Sequence, residues 1–357
     1  MKVLIAAGGT GGHIYPGIAV ANEVMSRDAE SEVLFVGTAR GLEKKIVPDN
    51  GYQLSLINSA GLKNVGVVGK IKGLSVLPKS FLEARKIIRQ FRPHVVVGAG
   101  GYVSGPVLLM AAIMGVPTLV MDSNALPGFT NRQLARFVDR AALTFEEAVP
   151  FFGKKAVVTG NPVRKEFFEI PEKKRGEVLQ ILIFGGSQGA RAINNAMADA
   201  LPLLEPHAEK LAITHQTGEA DFERIRDAYA SSKFSADIRP FISDIFVEFG
   251  KADLIICRAG ATTCAELSAA GKASIMVPFP GAADNHQQKN AEALQNAHAA
   301  KMILQKDLTP EILASQIIAY SQDPESITRM EAEARKLSRP NAAAAAVDII
   351  EELKHSV

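Results

Sequence analysis

One pattern constrains this chain more than any other, because it occurs twice. "VLIAAGGTGGHIYPGIAVANEV" (residues 3–24) and "ILIFGGSQGARAINNAMADAL" (181–201) each run from an unbroken apolar stretch through a glycine-rich turn into a helix-length segment. An apolar run without alternation marks a strand covered on both faces. "EVLFVG", "HVVVGA" and "PTLVMD" repeat that signal in the first half, and "LAITHQ", "DLIICR" and "ASIMVPF" repeat it in the second. Between them lie helical segments such as "SFLEARKIIRQF". This is the βαβ rhythm of a parallel sheet wound on both faces. The expected fold is α/β, with two Rossmann-like domains facing each other across a cleft. The first domain is placed at 1–162 and the second at 163–338, with the break near "VVTGNPVRKEFF", where Asn161-Pro162 interrupts regular structure. The helix-forming tail, 339–357, is expected to pack back on the first domain. At 357 residues the chain has room for two cores.

No run of about 18 apolar residues occurs, so no membrane-spanning helix is expected. "MKVLIAAGG" reads as a buried strand, being too short and too glycine-rich for a signal peptide. Cys257 and Cys264, with no neighbouring histidine or cysteine cluster, read as reduced core residues of a cytosolic protein. The formal net charge is +2, unevenly placed. Residues 1–162 carry 18 Lys+Arg against 11 Asp+Glu, and residues 163–357 carry 22 against 27. No acidic residue lies between Asp49 and Glu83, where Lys63, Lys70, Lys72 and Lys79 alternate with Ile71, Leu74, Leu77 and other apolar residues, followed by Phe81. A cationic, apolar segment of this kind suits an anionic membrane surface; the plainer reading is a solvated loop and helix. No nucleic-acid partner is expected.

Glycine loops at 8–12, 98–105, 185–189 and 258–263 follow strands in both halves. Bare backbone lets a ligand approach, and a helix N-terminus behind it offers N–H groups and a positive dipole end, which suits a diphosphate. A dinucleotide is not the ligand. Ile14 stands where G-x-G-x-x-G needs its third glycine, and the second strand ends in Gly37-Thr38 with no carboxylate for a ribose. No G-K-[ST] follows any glycine loop, so a P-loop is excluded.

In the second half, Arg258 ends a strand, a small-residue loop follows, and Thr263-Cys264-Ala265-Glu266 matches a capping box. Glu266 is thus either a helix cap or a carboxylate for ribose hydroxyls. Further on, "MVPFPG" leads to Asp284, Asn285, His286, Gln287 and Gln288 at a helix start. Carboxamides both donate and accept, which suits sugar hydroxyls.

The ordered set "GGTGGHIYPG", "GTARGLEKKIVP", "GAGGYVSGP", "NALPGFTNRQLA", "TGNPVR", "GGSQGA", "CRAGATTCAEL" and "VPFPGAADNHQQKNA" resembles the MurG family of bacterial transferases, glycosyltransferase family 28, over nearly the whole chain. The resemblance implies a GT-B fold with the donor UDP-N-acetylglucosamine in the C-terminal domain. The acceptor, lipid I (undecaprenyl-diphosphate-muramyl-pentapeptide), would lie in the N-terminal domain. It implies inversion at the anomeric carbon and peripheral attachment to the cytoplasmic face of the membrane, with cell-wall and division proteins as possible partners. Carried over residue by residue, Thr10, Gly11 and Gly12 would lie by the donor and acceptor diphosphates. Gly100, Gly101 and Tyr102 would lie on the acceptor side, and Asn124 would contact the donor sugar. Arg164 and Ser187 would meet the uridine diphosphate, and the Ile242 backbone would touch uracil. Ala261, Thr262, Thr263, Cys264, Ala265 and Glu266 would hold diphosphate and ribose, with Gln287 on the sugar hydroxyls. One departure is visible: some members carry a second glutamine before the one matching Gln287, where this chain has His286.

The attacking hydroxyl needs a general base. His13 is the candidate, with Asp122 or a first-half glutamate as alternatives. Arg258 and Arg164 would stabilise the departing diphosphate. No DxD-type metal anchor and no carboxylate cluster is present, so no metal and no cofactor is expected. The rival readings are a sugar-nucleotide epimerase of the same fold, which has no use for 61–81, and a UDP-sugar-binding scaffold, which has no need of His13.

Overall fold

The computed structural model describes residues 1–9, 11–39, 41–59, 67–186 and 188–355, and of 67–76 the backbone only. Thr10, Lys63 and Ser187, and the side chains of Lys70, Ile71, Lys72 and Leu74, therefore lie outside the described residues. The chain divides into two compact units, Met1–Val163 with Arg339–Val357, and Arg164–Ser338.

Seven strands form the sheet of unit 1: β1 (Lys2–Ala7), β2 (Glu32–Gly37), β3 (Gln53–Leu56), β4 (Val95–Gly100), β5 (Thr118–Asp122), β6 (Arg140–Leu143) and β7 (Ala156–Val158). Their spatial order is β3-β2-β1-β4-β5-β6-β7, every pair parallel. The connecting helices are α1 (Gly11–Arg27), α2 (Glu43–Asp49), α3 (Val67–Phe91), α4 (Ser104–Ile113), α5 (Phe129–Leu134) and α6 (Val149–Phe152). Val3, Ile5, Val95 and Val97 point into one core and Leu4, Ala6, Val96 and Val120 into another, so each central strand is covered twice. This double burial is why the strands read as unbroken apolar runs.

Unit 2 has six strands: β8 (Leu179–Phe184), β9 (Leu211–Gln216), β10 (Ala236–Arg239), β11 (Leu254–Cys257), β12 (Ala273–Met276) and β13 (Lys301–Met302). Their order is β10-β9-β8-β11-β12-β13, again all parallel. Its helices are α7 (Arg191–Leu204), α8 (Phe222–Ala230), α9 (Ile245–Lys251), α10 (Ala261–Ala270), α11 (His286–Asn296), α12 (Pro310–Gln322) and α13 (Pro324–Lys336).

The last helix, α14 (Ala342–Lys354), belongs to unit 1. Val347, Ile350 and Leu353 join the core of β1 and β4. Arg27 of α1 reaches across to Asp348 at 2.7 Å and Glu351 at 3.1 Å. Among the described residues no helix is long and apolar enough to cross a membrane.

Both sheets reverse winding direction once, between β1 and β4 in unit 1 and between β8 and β11 in unit 2. In an open α/β sheet the crevice at that switch point is where ligands bind. The pairings Ala7↔Gly100 and Cys257↔Phe184 bring the loops after those strands side by side. Strand order thus joins loop 8–12 to loop 98–105, and loop 185–189 to loop 258–263.

Candidate active site

In unit 1 the two switch-point loops touch through glycine. Gly100 and Gly101 have φ of +118° and +80°, which side chains rarely adopt. A Cβ at Gly100 would lie 2.3 Å from His13 Nδ1, and one at Gly101 would lie 2.2 Å from the Gly8 carbonyl oxygen. The His13 ring therefore rests on the bare backbone of Gly100, in the first turn of α1. Ser104 fastens the pair from below. Its hydroxyl accepts from the Gly100 N–H at 3.0 Å and lies 2.9 Å from the Ala6 carbonyl. Gly11 and Gly12 open α1, and Tyr102 follows Gly101 on the second loop, exposed.

Asp122 is buried at the end of β5, and its carboxylate organises the next loop. It accepts from the N–H groups of Asn124 and Gly128, both at 3.0 Å, and from Asn131 Nδ2 at 2.8 Å. Burial pushes its carboxyl upward against these donors. The alternative of Asp122 as general base is thereby corrected: its oxygens are turned inward and occupied by the loop that carries Asn124.

In unit 2, α10 starts at Ala261 with Gly260 as an extended N-cap that makes no side-chain cap bond. The capping box is therefore not formed. Thr263 is the third helical residue and Glu266 the sixth, one turn too deep to cap. Ala261, Thr262 and Thr263 present the unpaired N–H groups of the first turn. The first intrahelical bond runs from the Cys264 N–H to the Gly260 carbonyl at 2.9 Å. Cys264 is buried, while Ala265 and Glu266 are half-buried. Desolvation pushes the Glu266 carboxyl up to about 7, with the Arg164 guanidinium pulling the other way. Arg164 itself lies over the rings of Phe167 and Phe246, at 5.2 and 5.4 Å.

Arg258 is not arranged as expected. Its Nη1 donates to the carbonyls of Val277 (3.0 Å) and Pro278 (3.3 Å), its Nη2 to Gln305 Oε1 (2.8 Å), and it lies 5.4 Å from the Phe279 ring centre. These bonds spend the guanidinium on holding the loop after β12. Arg258 is a support of that loop. Within the loop Gln287 Oε1 accepts from the Phe279 N–H at 3.0 Å, which fixes the carboxamide. His286, at the departing position, has its Nδ1 2.7 Å from the Ala283 carbonyl. Asp284 and Asn285, with φ of +56° and +54°, form the left-handed entry to α11.

Gln216, missed in the sequence, joins two expected contacts. At the buried end of β9, its Nε2 donates to the Gly186 carbonyl and its Oε1 accepts from the Ile242 N–H, each at 2.9 Å. The Ile242 N–H is therefore already donated, leaving its carbonyl as the backbone group for a base. The clue was a polar residue ending an apolar strand in "LAITHQTG", just before a glycine. Of the proposed membrane segment, Leu77 and Phe81 are half-buried and Lys79 is exposed on α3. No group of three or more His, Cys, Asp or Glu side chains suited to a metal is found among the described residues.

Two doubly wound units, each with glycine-rich loops at its switch point, make a two-domain architecture of the GT-B kind. The glycosyltransferase family 28 N-terminal domain matches residues 3–143 and its C-terminal domain matches 180–353. The chain belongs to glycosyltransferase family 28 and, within it, to the MurG family. It is 47% identical to a UDP-N-acetylglucosamine--N-acetylmuramyl-(pentapeptide) pyrophosphoryl-undecaprenol N-acetylglucosamine transferase of Citrifermentans bemidjiense, over 97% of this chain and 98% of that one. The protein of the same name from Syntrophus aciditrophicus is 49% identical over 98% and 97%. The crystal structure of Acinetobacter baumannii MurG matches with a TM-score of 0.83 and 34% identity, covering 98% of this chain and 99% of that one. A UDP-GlcNAc 2-epimerase from Neisseria meningitidis covers 99% and 100% with a TM-score of 0.71, but at 14% identity it shares the fold alone.

Proposed function

We propose that this chain transfers N-acetylglucosamine from UDP-N-acetylglucosamine to the muramyl sugar of undecaprenyl-diphosphate-linked lipid I, with inversion, giving lipid II for peptidoglycan. The observation that carries this reading is the 47% and 49% identity, over almost the full length, to transferases whose names state that reaction.

The acceptor hydroxyl oxygen attacks the anomeric carbon of the donor sugar. The bond from that carbon to the diphosphate oxygen breaks, and UDP leaves with the electron pair. His13 takes the hydroxyl proton as general base. Its place on Gly100, at the switch point of unit 1, supports this role. Thr10, Gly11 and Gly12 lie by the donor and acceptor diphosphates, and Gly100, Gly101 and Tyr102 serve the acceptor side. In unit 2 the first-turn N–H groups of α10 and the Arg164 cation stabilise the charge developing on UDP. Glu266 takes the ribose hydroxyls, the Ile242 carbonyl the uracil, Ser187 the diphosphate, and Asn124 and Gln287 the sugar. The basic first half and its acid-free stretch support docking to the anionic cytoplasmic face of the membrane.

Labelled transfer to a lipid I analogue tests the reading, with acceptor in vesicles with and without anionic lipid. Wild type is expected to transfer, faster with anionic lipid, and His13→Ala to lose about 10² or more in kcat with donor binding intact. Donor binding without any transfer by the wild type would overturn the reaction. A His13→Ala rate near wild type would remove His13 as the base.

A further inference from the structure

Glu43 lies in "GTARGLEKKIVP", a stretch to which no role has been given. It is a fully buried carboxylate at the first position of α2. Oε2 accepts from the Gly9 N–H at 2.9 Å, and Oε1 accepts from the Thr38 N–H and Oγ1, each at 2.8 Å. The Leu42 N–H returns a bond to the Gly9 carbonyl at 3.3 Å. Room for the side chain exists because positions 37 and 41 are glycine. A Cβ at either would fall 2.5 or 1.9 Å from Glu43 atoms. Burial raises the carboxyl, but the hydrogen bonds from Thr38, its own N–H and Gly9 outweigh it and hold it below the ordinary glutamate value. It is an ionised group that meets only donors.

Four glycines have no side chains with which to stiffen a loop, and glycine loses the most backbone freedom on ordering. The segment from Gly8 to His13 must therefore be held from outside. The loop at 98–101 holds it on one side, through Gly101 against the Gly8 carbonyl and Gly100 against His13. Glu43 holds it on the other. Ionisation matters here, because a carboxamide would turn N–H donors toward donors.

We propose that Glu43 is a positioning residue for the transfer reaction, fixing through Gly9 the loop that carries His13. This rests on the reading of His13 as base. The test is a kinetic cycle of wild type, Glu43→Gln, His13→Ala and the double variant in the full-length protein. Its readouts are kcat, KM for UDP-N-acetylglucosamine and thermal unfolding. Glu43→Gln is expected to lose about 10- to 100-fold in kcat with donor KM within about twofold, and to lose almost nothing further in the His13→Ala background. A folded Glu43→Gln variant with wild-type kcat overturns the proposal, as do losses that multiply in the double variant. The His13→Ala rate alone judges the base, so the two failures are distinguishable. Should Glu43→Gln not fold, Thr38→Val removes one bond to the same carboxylate. A severalfold kcat loss that disappears without His13 supports the proposal, and an unchanged kcat overturns it.

Discussion

Glu266 yields a prediction that can be worked through from the structure. Its carboxyl rises from 4.5 to about 7 through desolvation. A ribose diol donates to a carboxylate far better than to a carboxylic acid, since charge-assisted bonds are about twice as strong. If only the ionised form binds, the apparent Kd scales inversely with the ionised fraction. That fraction is roughly a tenth at pH 6 and nine-tenths at pH 8. UDP-N-acetylglucosamine should therefore bind about tenfold more tightly at pH 8 than at pH 6. The intact sugar nucleotide is the right ligand, because free UDP titrates on its own terminal phosphate. Calorimetry in buffers of different ionisation enthalpy should show proton release near pH 6.5. Glu266→Gln should abolish both the release and the pH dependence, and weaken binding at pH 8 by about 1.5–3 kcal/mol. Stability moves the opposite way. A carboxyl whose folded pKa lies above its unfolded one costs stability progressively between pH 4.5 and 7, so Glu266→Gln should unfold at a higher temperature than wild type at pH 8 and not at pH 4. Binding that is equally pH-dependent in Glu266→Gln, or no proton release in wild type, would refute the assignment.

Two further predictions concern supports. Gln216→Leu removes the bridge between Gly186 and Ile242. It should weaken UDP binding by about 1–3 kcal/mol by calorimetry while His13-dependent chemistry at saturating donor stays within a few-fold. Lys272 is buried with its Nζ on the Ala252 carbonyl at 2.9 Å, and desolvation, offset in part by Glu331, lowers its pKa from 10.5 to about 8. A folded protein that holds the proton less tightly than the unfolded chain gains stability as pH rises from 8 to 10.5. Relative to Lys272→Met, wild type should gain stability across that window in urea melts, by no more than about 3.5 kcal/mol. Parallel curves would show that Lys272 is neutral to folding.

Among the described residues, eight of thirteen strands stand out in the sequence because they lie inside their sheets and are covered on both faces over most of their length, which selects long apolar stretches. β3 "QLSL", β10 "ADIR" and β13 "KM" do not, since an edge strand is solvated and carries a mixed pattern. β6 "RAAL" and β7 "AVV" are too short and alanine-rich to be distinguished from helix or loop. α3 was only half legible. "SFLEARKIIRQF" reads as a helix, but the helix begins at Val67, through glycine- and lysine-containing turns with Pro78 inside.

The glycine loops and their position after strands were legible in the residue order, because bare backbone lets a chain turn sharply from strand to helix. The capping box failed for a reason the sequence cannot express: a motif has spacing, but where the helix begins depends on the strand before it, and α10 began three residues too early for Thr263 to cap. Arg258 reads from the sequence as an anion-binding cation, and only the fold brings the carbonyls of the loop after β12 within reach of its Nη1. Sequence by itself determined the α/β class, the duplicated glycine turns and the residue types that chemistry would need. Tertiary structure decided which of them meet, because strand order, not chain order, sets β1 beside β4 and β8 beside β11. Within each unit, loops some ninety (unit 1) or seventy (unit 2) residues apart thereby come to share a switch point.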